Sequence, residues 1–575
     1  MSYQNHYTMN TGFFKSHEGE ELFFYEWNYK PGQKTLIVIH RGHEYGERLQ
    51  EFATHPLFAA YNIFAFDMRG HGHTKAAVSP VFMDSVRDLD TFAKFLGQHY
   101  EVREEDIFVV ANSIGGVITS AWVHDFAPRI AGMALLAPAF EINLIVPMAK
   151  QAIELALKIN PKLIVKSYVK SKMLTRDTKQ QQAYDNDPLI TRSINGKLLI
   201  DLANAGKRLV EDAAAITTPT LLLSAKKDFV VINRQQKQFY VNLSSPIKEF
   251  VTLEGFHHGI LFEQGREEVY KLLQHFIQKA FSAPLPTPTL DSDLFTQKEF
   301  ETMQYELIPT RERWGYHLQK WALSKLGHLS GGMTVGLTYG FDSGASMDYV
   351  YKNTPQGKWG IGRWMDKSYL NAIGWRGVRI RKKHLLQQVE KAIQALQAQE
   401  QEVKILDIAG GVGNYLFDIK ERHPEVEIVI NEFLLANIQK GEQIIKERGY
   451  QNIRFTNYNC FEADTYRKLN YSPNITIISG IFELFGDNIL ASEAIKGVVS
   501  ISDNGYIIYT GQPWHPQLKT IAFVLKSHQE KDWVMRRRSQ RELDGLFSLQ
   551  GVKKKSMLID DFGIFTVSLG QVKKY

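Results

Sequence analysis

Two short apolar segments, each leading into a turn of small residues, constrain the fold of this 575-residue chain most strongly. The first covers residues 107–111 and leads into Ser113. The second covers residues 403–406 and leads into a glycine-rich loop at 407–413. A proline-rich segment at 282–289 lies between them. A buried strand that ends in a tight turn is typical of parallel α/β sheets. The two segments therefore predict two such sheets, one after the other along the chain.

Length and composition support two domains. A single hydrophobic core rarely extends beyond about 250–300 residues, so we predict domains at 1–282 and 295–575 with a linker at 283–294. The net charge of +6 does not indicate a nucleic acid partner. The single cysteine excludes a disulfide framework, and we expect no metal site. The N-terminus lacks a secretory pattern, so we expect a cytoplasmic protein.

The first half alternates apolar runs with stretches long enough for helices. The runs cover residues 35–40, 62–67, 107–111 and 220–224. This alternation predicts a parallel sheet with crossover helices, and catalytic groups at the carboxyl ends of its strands.

Ser113 follows one of these strands in the sequence Ala111-Asn-Ser-Ile-Gly115. A nucleophilic serine is usually held in Gly-x-Ser-x-Gly, because small residues permit the strained turn, and here alanine replaces the first glycine. The alternative is an ordinary junction at which a serine caps the helix.

Three further segments favour catalysis. The loop at 40–48 can direct a backbone N–H, that of Gly42, toward a developing oxyanion, together with the N–H of Ile114. Asp228 follows the strand at 220–224, and adjacent histidines stand at 257 and 258. The order Ser, Asp, His along the chain is that of the α/β-hydrolases.

Four motifs carry a resemblance to a known family, at residues 40–42, 67–72, 112–116 and 255–258. Over residues 10–280 the chain resembles the lysophospholipase and monoacylglycerol lipase branch of the α/β-hydrolases. The resemblance implies that Ser113 is the nucleophile, Asp228 the orienting acid and His258 the general base, with His257 as the competitor for the last role. It also implies a helical lid at about 139–204, and the family usually has glycine where Arg41 stands.

Residues 147–174 of this lid combine apolar side chains with six lysines and one acid. We expect Pro161 to divide the segment into two helices. A basic amphipathic lid can rest on an anionic membrane surface and admit acyl chains. The alternative is a lid that packs on its own domain with solvated lysines.

The second half opens its sheet with the pattern Asp407-x-Ala409-x-Gly411-x-Gly413. Glycines let the backbone approach a ligand closely. Glu432 follows the next strand, at 427–430, where a carboxylate can accept both hydroxyls of a ribose. No Gly-Lys-Ser/Thr ends the loop, which disfavours Walker-type phosphate binding.

This half resembles the class I S-adenosylmethionine-dependent methyltransferases, and in particular the module that bacteria fuse behind an α/β-hydrolase. The shared stretches are residues 339–344, 374–377, 479–485, 509–517 and 533–538. The resemblance implies a Rossmann-like fold with an N-terminal helical cover at about 296–395, and S-adenosylmethionine as cofactor. The cofactor-binding residues it implies are Asp407, Ala409, Gly411, Gly413, Glu432, Asn459 and Gly480. Asp464 is the alternative to Asn459 at the adenine.

The methyl acceptor must bind outside the glycine loop. The cover is rich in aromatic residues, and basic residues stand on it and at 536–538. Arginine forks suit phosphate and aromatic rings suit a methylated ammonium, so we predict an anionic amphiphile with an amine or hydroxyl. The predicted acceptor-binding residues are Arg379, Arg381, Arg536, Arg537 and His515. The candidates for deprotonating the acceptor are His515, Tyr509 and Glu483, and the alternative is a solvated basic face.

Together these features predict a bifunctional enzyme of lipid head-group metabolism, with small-molecule or lipid substrates. It would pair a serine carboxylester hydrolase for lysophospholipid or monoacylglycerol-like esters with a methyltransferase. Two alternatives stay open. The halves could oppose each other as a carboxyl methyltransferase and a methyl ester hydrolase, or one half could be a non-catalytic lipid-binding scaffold.

Overall fold

The computed structural model describes residues 9–75, 81–144, 146, 148–502 and 504–572. It divides into two compact units, Met1–Pro286 and Thr287–Tyr575, which we call the first and the second unit. Each unit is built around its own sheet.

The first unit contains an eight-stranded sheet and a separate two-stranded sheet. Its strands are β1 (Met9–Lys15), β2 (Glu21–Trp27), β3 (Thr35–Ile39), β4 (Asn62–Phe66), β5 (Ile107–Asn112), β6 (Gly132–Leu136), β7 (Ile164–Lys166), β8 (Ser193–Asn195), β9 (Thr220–Ala225) and β10 (Lys248–Leu253). The main sheet has the order β1-β2-β4-β3-β5-β6-β9-β10 and is parallel from β4 to β10. In the sheet β3 lies between β4 and β5, so the chain runs from β3 to its neighbour on one side and then crosses over β3 to its neighbour on the other side. The carboxyl ends of β3 and β5 therefore open the crevice in which ligands bind such sheets.

Nine α-helices belong to the described part of the first unit. They are α1 (Gln50–Ala53), α2 (Phe82–His99), α3 (Ile114–Phe126), α4 (Ala149–Ile159), α5 (Ser171–Leu174), α6 (Thr178–Asn186), α7 (Gly196–Glu211), α8 (Asn233–Asn242) and α9 (Arg266–Ser282). Every residue of β3, β4 and β5 is buried, as expected for central strands covered on both faces.

The lid differs from the two helices that the sequence predicts. Helix α4 ends at Ile159, just before Pro161, as expected. Beyond the proline the chain forms β7, which pairs antiparallel with β8, and only then the four-residue α5. The β-branched Ile164 and Val165 favour the extended strand over a second long helix. Pro147 lies outside the described residues.

The second unit contains a seven-stranded sheet. Its strands are β11 (Lys404–Asp407), β12 (Glu427–Asn431), β13 (Ile453–Thr456), β14 (Ile475–Ile478), β15 (Tyr506–Gly511), β16 (Val552–Ile559) and β17 (Thr566–Val572). The order is β13-β12-β11-β14-β15-β17-β16, and β17 is antiparallel to both of its neighbours. The order reverses between β11 and β14, so a ligand crevice is expected at their carboxyl ends.

Six helices precede this sheet and form the expected cover, and six more connect or flank its strands. The cover consists of α10 (Leu294–Gln304), α11 (Thr310–Leu326), α12 (Gly331–Tyr339), α13 (Gly344–Lys352), α14 (Trp359–Leu370) and α15 (Ile373–Gln397). The others are α16 (Asn414–Arg422), α17 (Leu435–Arg448), α18 (Thr465–Lys468), α19 (Asn488–Ile501), α20 (Leu518–Val524) and α21 (Gln540–Leu549). Among the described residues of the whole chain, none of the helices combines the length and the apolar character needed to cross a membrane.

Candidate active sites

Ser113 occupies a strained turn between β5 and α3. Its φ of 51° and ψ of −112° are unfavourable for a side chain with a Cβ, as in the nucleophile elbow of α/β-hydrolases. The turn is also crowded, since a Cβ added to Gly115 would lie 2.7 Å from Ile39 Cγ2 and 3.0 Å from the His40 carbonyl oxygen. Small residues are therefore needed beside the serine.

A chain of hydrogen bonds joins the three residues that the sequence selects for catalysis. Ser113 Oγ lies 2.8 Å from His258 Nε2, and His258 Nδ1 lies 2.8 Å from Asp228 Oδ2. The other Asp228 oxygen accepts from the backbone N–H groups of Val230 and Val231. Ser113 and His258 are both buried. The arrangement has the geometry of a nucleophile, a base and an orienting carboxylate.

The neighbouring His257 has a different environment. Its Nδ1 lies 3.0 Å from Glu263 Oε2, which also accepts from the His257 backbone N–H at 3.1 Å. Glu263 is fully buried and further accepts from the backbone of Arg176. His257 is thus bound to a carboxylate of its own rather than to Ser113.

The loop after β3 brings Gly42 beside Ile114. A Cβ added to Gly42 would lie 2.7 Å from Ile114 Cδ1. The buried His40 fixes this loop, because its Nε2 accepts from the Met68 N–H at 3.0 Å while its Nδ1 lies 2.8 Å from the Arg41 carbonyl oxygen. Burial lowers the pKa of His40 to about 3, so the ring is neutral and Nδ1–H donates to that carbonyl.

Arg41 follows His40 in this loop, and its side chain forms a buried ion pair. Its Nε and Nη2 donate to both Glu44 carboxylate oxygens at 2.6 Å, and the pair is buried. The guanidinium also lies over the ring of Phe262. The pair therefore ties two residues of the loop after β3 together.

In the second unit, the glycine loop after β11 is tied to Glu432 at the end of β12. Glu432 Oε2 accepts from the Gly411 N–H at 2.9 Å, and Oε1 accepts from the Leu434 N–H at 2.8 Å. Gly411 and Gly413 both have positive φ, and a Cβ added to Gly411 would meet no atom within 4 Å. The loop therefore turns tightly and borders open space.

Asp407 lies fully buried at the end of β11. It accepts from the Ala409 N–H at 3.3 Å and from the Tyr415 hydroxyl. Burial raises the pKa of Asp407 to about 7, and the nearby Glu432 carboxylate adds to the effect. A cationic group at this end of the loop would stabilise the ionised form.

A cavity of about 1200 Å³ opens at the carboxyl ends of β11 and β14, where the strand order reverses. The sequence-predicted residues that line it are Ala409, Gly411, Gly413, Glu432, Asn459, Gly480, Arg381 and His515. Asn459 itself is exposed and holds its own loop, since its Oδ1 accepts from the Phe461 N–H. Arg381 lies beside Gly480, because a Cβ added there would be 3.5 Å from Arg381 Nη1.

The cover contributes aromatic rings to the same cavity. Tyr369 and Trp375 pack edge to face at 5.7 Å, and Trp375 stacks on Trp533 at 6.3 Å. His515 is buried, which lowers its pKa to about 3. Its Nδ1 accepts from the Gln517 N–H at 3.0 Å, so Nε2 carries the proton.

Three of the predicted acceptor-binding arginines do not belong to this cavity. Arg536 is fully buried and pairs with Glu542 at 2.7 Å. Arg537 is buried and pairs with Glu299 at 2.5 Å, and it also donates to the Pro513 carbonyl oxygen. Arg379 lies on α15 outside the cavity lining, and its buried Nη1 has no hydrogen-bond partner. The structure thus contradicts acceptor binding by Arg536 and Arg537, because carboxylates within the fold already engage them. Acceptor binding by Arg379 stays a prediction, which its position outside the cavity lining does not favour.

Tyr509, a candidate for deprotonating the acceptor, is also excluded by its position. It is buried in the core, stacked on Phe547 at 3.7 Å and bonded to Asp544. Burial raises its pKa well above the usual value.

Three residues of these sites are not predicted to be functional from the sequence, namely Gln512, Trp533 and Glu263. Gln512 follows the end of β15 and lines the cavity, so the rule that ligands gather at strand ends could have selected it. Trp533 reaches the cavity from a segment without regular structure, and no periodicity marks it. Glu263 is identified only by the fold that brings it to His257.

Fold and sites together define a two-domain enzyme in which an α/β-hydrolase unit precedes a methyltransferase domain. The chain belongs to the family described as "Putative methyltransferase", whose pattern matches residues 273–572. Residues 30–265 match the family described as "Serine aminopeptidase, S33".

Several known proteins are similar to this chain. The Uncharacterized protein YnbC of Escherichia coli (strain K12) is 38% identical and covers 97% of both chains. The Phospholipase YtpA of Bacillus subtilis (strain 168) is 26% identical over 44% of this chain and 98% of its own. A Putative monoglyceride lipase of Schizosaccharomyces pombe is 26% identical over 47% of this chain and 73% of its own. Among solved structures, a monoacylglycerol lipase of Paleococcus ferrophilus matches 45% of this chain and 99% of its own at 21% identity, with a TM-score of 0.41.

Proposed function

We propose that the first unit hydrolyses carboxylic esters of monoacylglycerol or lysophospholipid type, and that the second unit transfers a methyl group from S-adenosylmethionine to a lipid-derived acceptor. The hydrogen-bond chain from Ser113 through His258 to Asp228 is the observation that carries the hydrolase half. The methyltransferase half is supported by the family match and by the cavity at the strand-order reversal.

In the first unit the groups needed for acyl transfer are in place. His258 Nε2 is positioned to take the Ser113 proton as Oγ attacks the ester carbonyl, and Asp228 stabilises the imidazolium that forms. The N–H groups of Gly42 and Ile114 are our candidates for binding the oxyanion. Lipid esters are favoured because two relatives are a phospholipase and a putative monoglyceride lipase by name, and because the lid exposes apolar side chains.

Turnover of four esters tests the substrate class. We expect 1-monoacylglycerol or lysophospholipid with a long acyl chain to be hydrolysed faster than p-nitrophenyl acetate, since the lid can bind an acyl chain. The fatty acid released would be followed by titration. Preference for a fatty acid methyl ester over both lipids would instead favour a methyl ester hydrolase that opposes a carboxyl methyltransferase.

S-adenosylmethionine fits the residues of the second unit. Gly411 borders open space, and Glu432 follows β12 beside the loop. The Arg381 guanidinium near Gly480 can pair with a carboxylate. Arg381 is thus better assigned to the methionine carboxylate than to the acceptor. When bound, the cofactor would supply an electrophilic methyl group on a sulfonium.

Calorimetric titration with S-adenosylmethionine tests this assignment. We expect Gly411→Val, which fills the open space, and Glu432→Ala, which removes the ribose acceptor, each to weaken binding by about tenfold or more. Glu447→Ala, at an exposed position of α17, is the control and should bind like the wild type. Wild-type affinity in both cavity variants would refute the proposed cofactor site.

We further propose that the lid rests on an anionic membrane. Helix α4 has no buried residue, and apolar side chains at Met148, Leu155, Ile159 and Ile164 are exposed. Exposed lysines at 158, 162 and 166 lie in the same segment. Such a surface suits lipid head groups of negative charge.

Vesicle co-sedimentation tests the membrane contact. The protein should bind vesicles of phosphatidylcholine with phosphatidylglycerol more strongly than pure phosphatidylcholine, and Lys158→Glu with Lys162→Glu should remove the difference. Equal binding to both vesicles by the wild type would contradict the proposal.

A further inference from the structure

The carboxylate of Glu483 is buried in the wall of the cavity, where it has no hydrogen-bond partner among the residues that the structure describes. Glu483 lies in a 3₁₀ turn, Phe482–Leu484, that follows β14 and Gly480. Its side chain lines the cavity, and the residue is only 7% exposed. Neither carboxylate oxygen has a hydrogen-bond partner among the described residues.

The fold holds this turn firmly by its backbone. The Glu483 carbonyl oxygen accepts from the Arg536 N–H at 2.8 Å. Arg538 Nη1 donates to the Phe482 carbonyl oxygen at 2.6 Å, and its Nη2 donates to that of Phe485 at 3.1 Å. The arginine run at 536–538 therefore anchors the backbone around the glutamate and leaves the carboxylate itself unpaired.

An unpaired buried carboxylate is costly, because burial removes the hydration of the charged form. Burial raises the pKa of Glu483, and Arg381, the residue's own backbone N–H and Arg538 only partly oppose that shift. A bound cation that donates hydrogen bonds would remove the cost. The site is thus built for a ligand that brings its own positive charge.

Aromatic rings line the same cavity. Trp375, Trp533, Tyr369 and Phe565 all contribute to its wall. The faces of such rings attract alkylammonium groups, most strongly where water is excluded. A carboxylate and several aromatic rings in one cavity select a cation with apolar substituents over an anion.

We propose that the methyl acceptor of the second unit is an amine, and that Glu483 binds its nitrogen in this aromatic cavity. The inference rests on the proposed methyltransferase function and names the acceptor class for it. It replaces the arginine-bound anionic group that the sequence predicts, since Arg536 and Arg537 are engaged elsewhere.

The chemistry of methylation gives Glu483 a second task. A protonated amine has no lone pair, so one proton must leave the nitrogen, and the Glu483 carboxylate in the cavity wall can accept it. The nitrogen lone pair then forms the bond to the methyl carbon as the carbon–sulfur bond of the sulfonium donor breaks, and that electron pair stays on sulfur. The raised pKa of Glu483 suits it to hold the proton.

Three donors in the cavity wall can bind an oxygen of the same acceptor. Gln512 Nε2 and Trp533 Nε1 are buried without a hydrogen-bond partner among the described residues. His515 carries its proton on Nε2, as its Nδ1 is occupied by the Gln517 N–H. An amino alcohol or its ester would use both the carboxylate and these donors.

A matched pair of ligands tests the amine site without turnover. Choline carries a fixed positive charge, and 3,3-dimethylbutan-1-ol has the same shape without it. Binding of each would be followed by the fluorescence of the cavity tryptophans in the wild type, in Glu483→Gln and in Asp342→Asn. Asp342 is the control because it lines the cavity with a carboxylate that His528 already engages.

We expect the wild type and Asp342→Asn to bind choline about tenfold or more tightly than the neutral alcohol, and Glu483→Gln to lose that preference. Equal binding of the two ligands by the wild type would overturn the proposal, as would an unchanged preference in Glu483→Gln. S-adenosylmethionine titration of the same variants separates the two claims. Normal cofactor binding without amine selectivity refutes only the amine site, whereas absent cofactor binding in the wild type refutes the proposed function.

Discussion

The two sites differ in whether their polar groups already have partners. In the first unit Ser113, His258 and Asp228 bond to one another, and even the spare His257 has its own carboxylate. In the second unit Glu483, Gln512 and Trp533 line the cavity with polar atoms that have no hydrogen-bond partner in the described part of the chain. We infer that the first site is assembled before substrate arrives, whereas the second is completed by its ligands. The predictions below test that difference.

Ser113→Ala should have the largest effect. We expect ester hydrolysis to fall on the order of 10⁴-fold or more, because no other nucleophile replaces Oγ in the strained turn. S-adenosylmethionine binding should not change, since the cofactor residues belong to the other sheet. Ester turnover and calorimetry of the same preparation check both statements, and undiminished hydrolysis would exclude this nucleophile.

The two adjacent histidines should differ widely in importance. His258→Ala should lower ester turnover on the order of 10³-fold, because only His258 contacts Ser113. His257→Ala should cost about tenfold or less, since it removes a contact to Glu263. The reverse ranking would show that the assembled geometry is not the one used in catalysis.

Arg536→Glu should destabilise the second unit rather than act on a surface. The substitution leaves Glu542 buried opposite a second carboxylate, and breaking a buried ion pair costs about 3–5 kcal/mol. Arg363→Glu, at an exposed position of α14, should change the free energy of unfolding by less than about 0.5 kcal/mol. Urea unfolding measures the free energy of unfolding of both variants. A similarly small effect in the two would mean that Arg536 lies on a solvated face and forms no buried ion pair.

These outcomes bear on how far sequence could predict the molecule. Both sheets follow from apolar runs and the turns after them, and Ser113, Asp228 and His258 follow from a motif whose geometry is local to strand ends. Arg536 and Arg537 were misassigned because a run of charges does not show its counterions. One partner, Glu299, lies 238 positions earlier in the chain.

In the lid and the acceptor cavity, too, the sequence does not show which distant segments come into contact. Pro161 correctly marks the end of α4, but whether the next segment becomes helix or strand depends on β8, with which it pairs. Glu483 was a candidate from its motif, yet its importance lies in having no partner. That property belongs to the folded structure and not to any spacing.

Acid should weaken the first unit through His40. Its pKa is lowered from 6.5 to about 3 by burial, so the unfolded chain binds a proton in that interval and the folded chain does not. The contribution of His40 is therefore complete above about pH 6.5 and is lost as the pH falls toward 3, by up to about 1.4 kcal/mol per pH unit. Unfolding in urea at pH 7 and at pH 5, with ester hydrolysis as the readout for the first unit, measures this slope. The His40→Gln substitution should reduce the slope. An unchanged slope in that variant would mean that other groups carry the acid sensitivity.

One measurement tests most directly whether the chain holds two independent sites, one assembled and one completed by its ligands. The protein, without added cofactor, is treated with a fluorophosphonate, modified Ser113 is counted by mass spectrometry, and the product is titrated with S-adenosylmethionine. We predict complete labelling of Ser113, followed by one-site binding with the affinity of the untreated protein. An unlabelled Ser113, or a labelled protein that no longer binds the cofactor, would contradict this account.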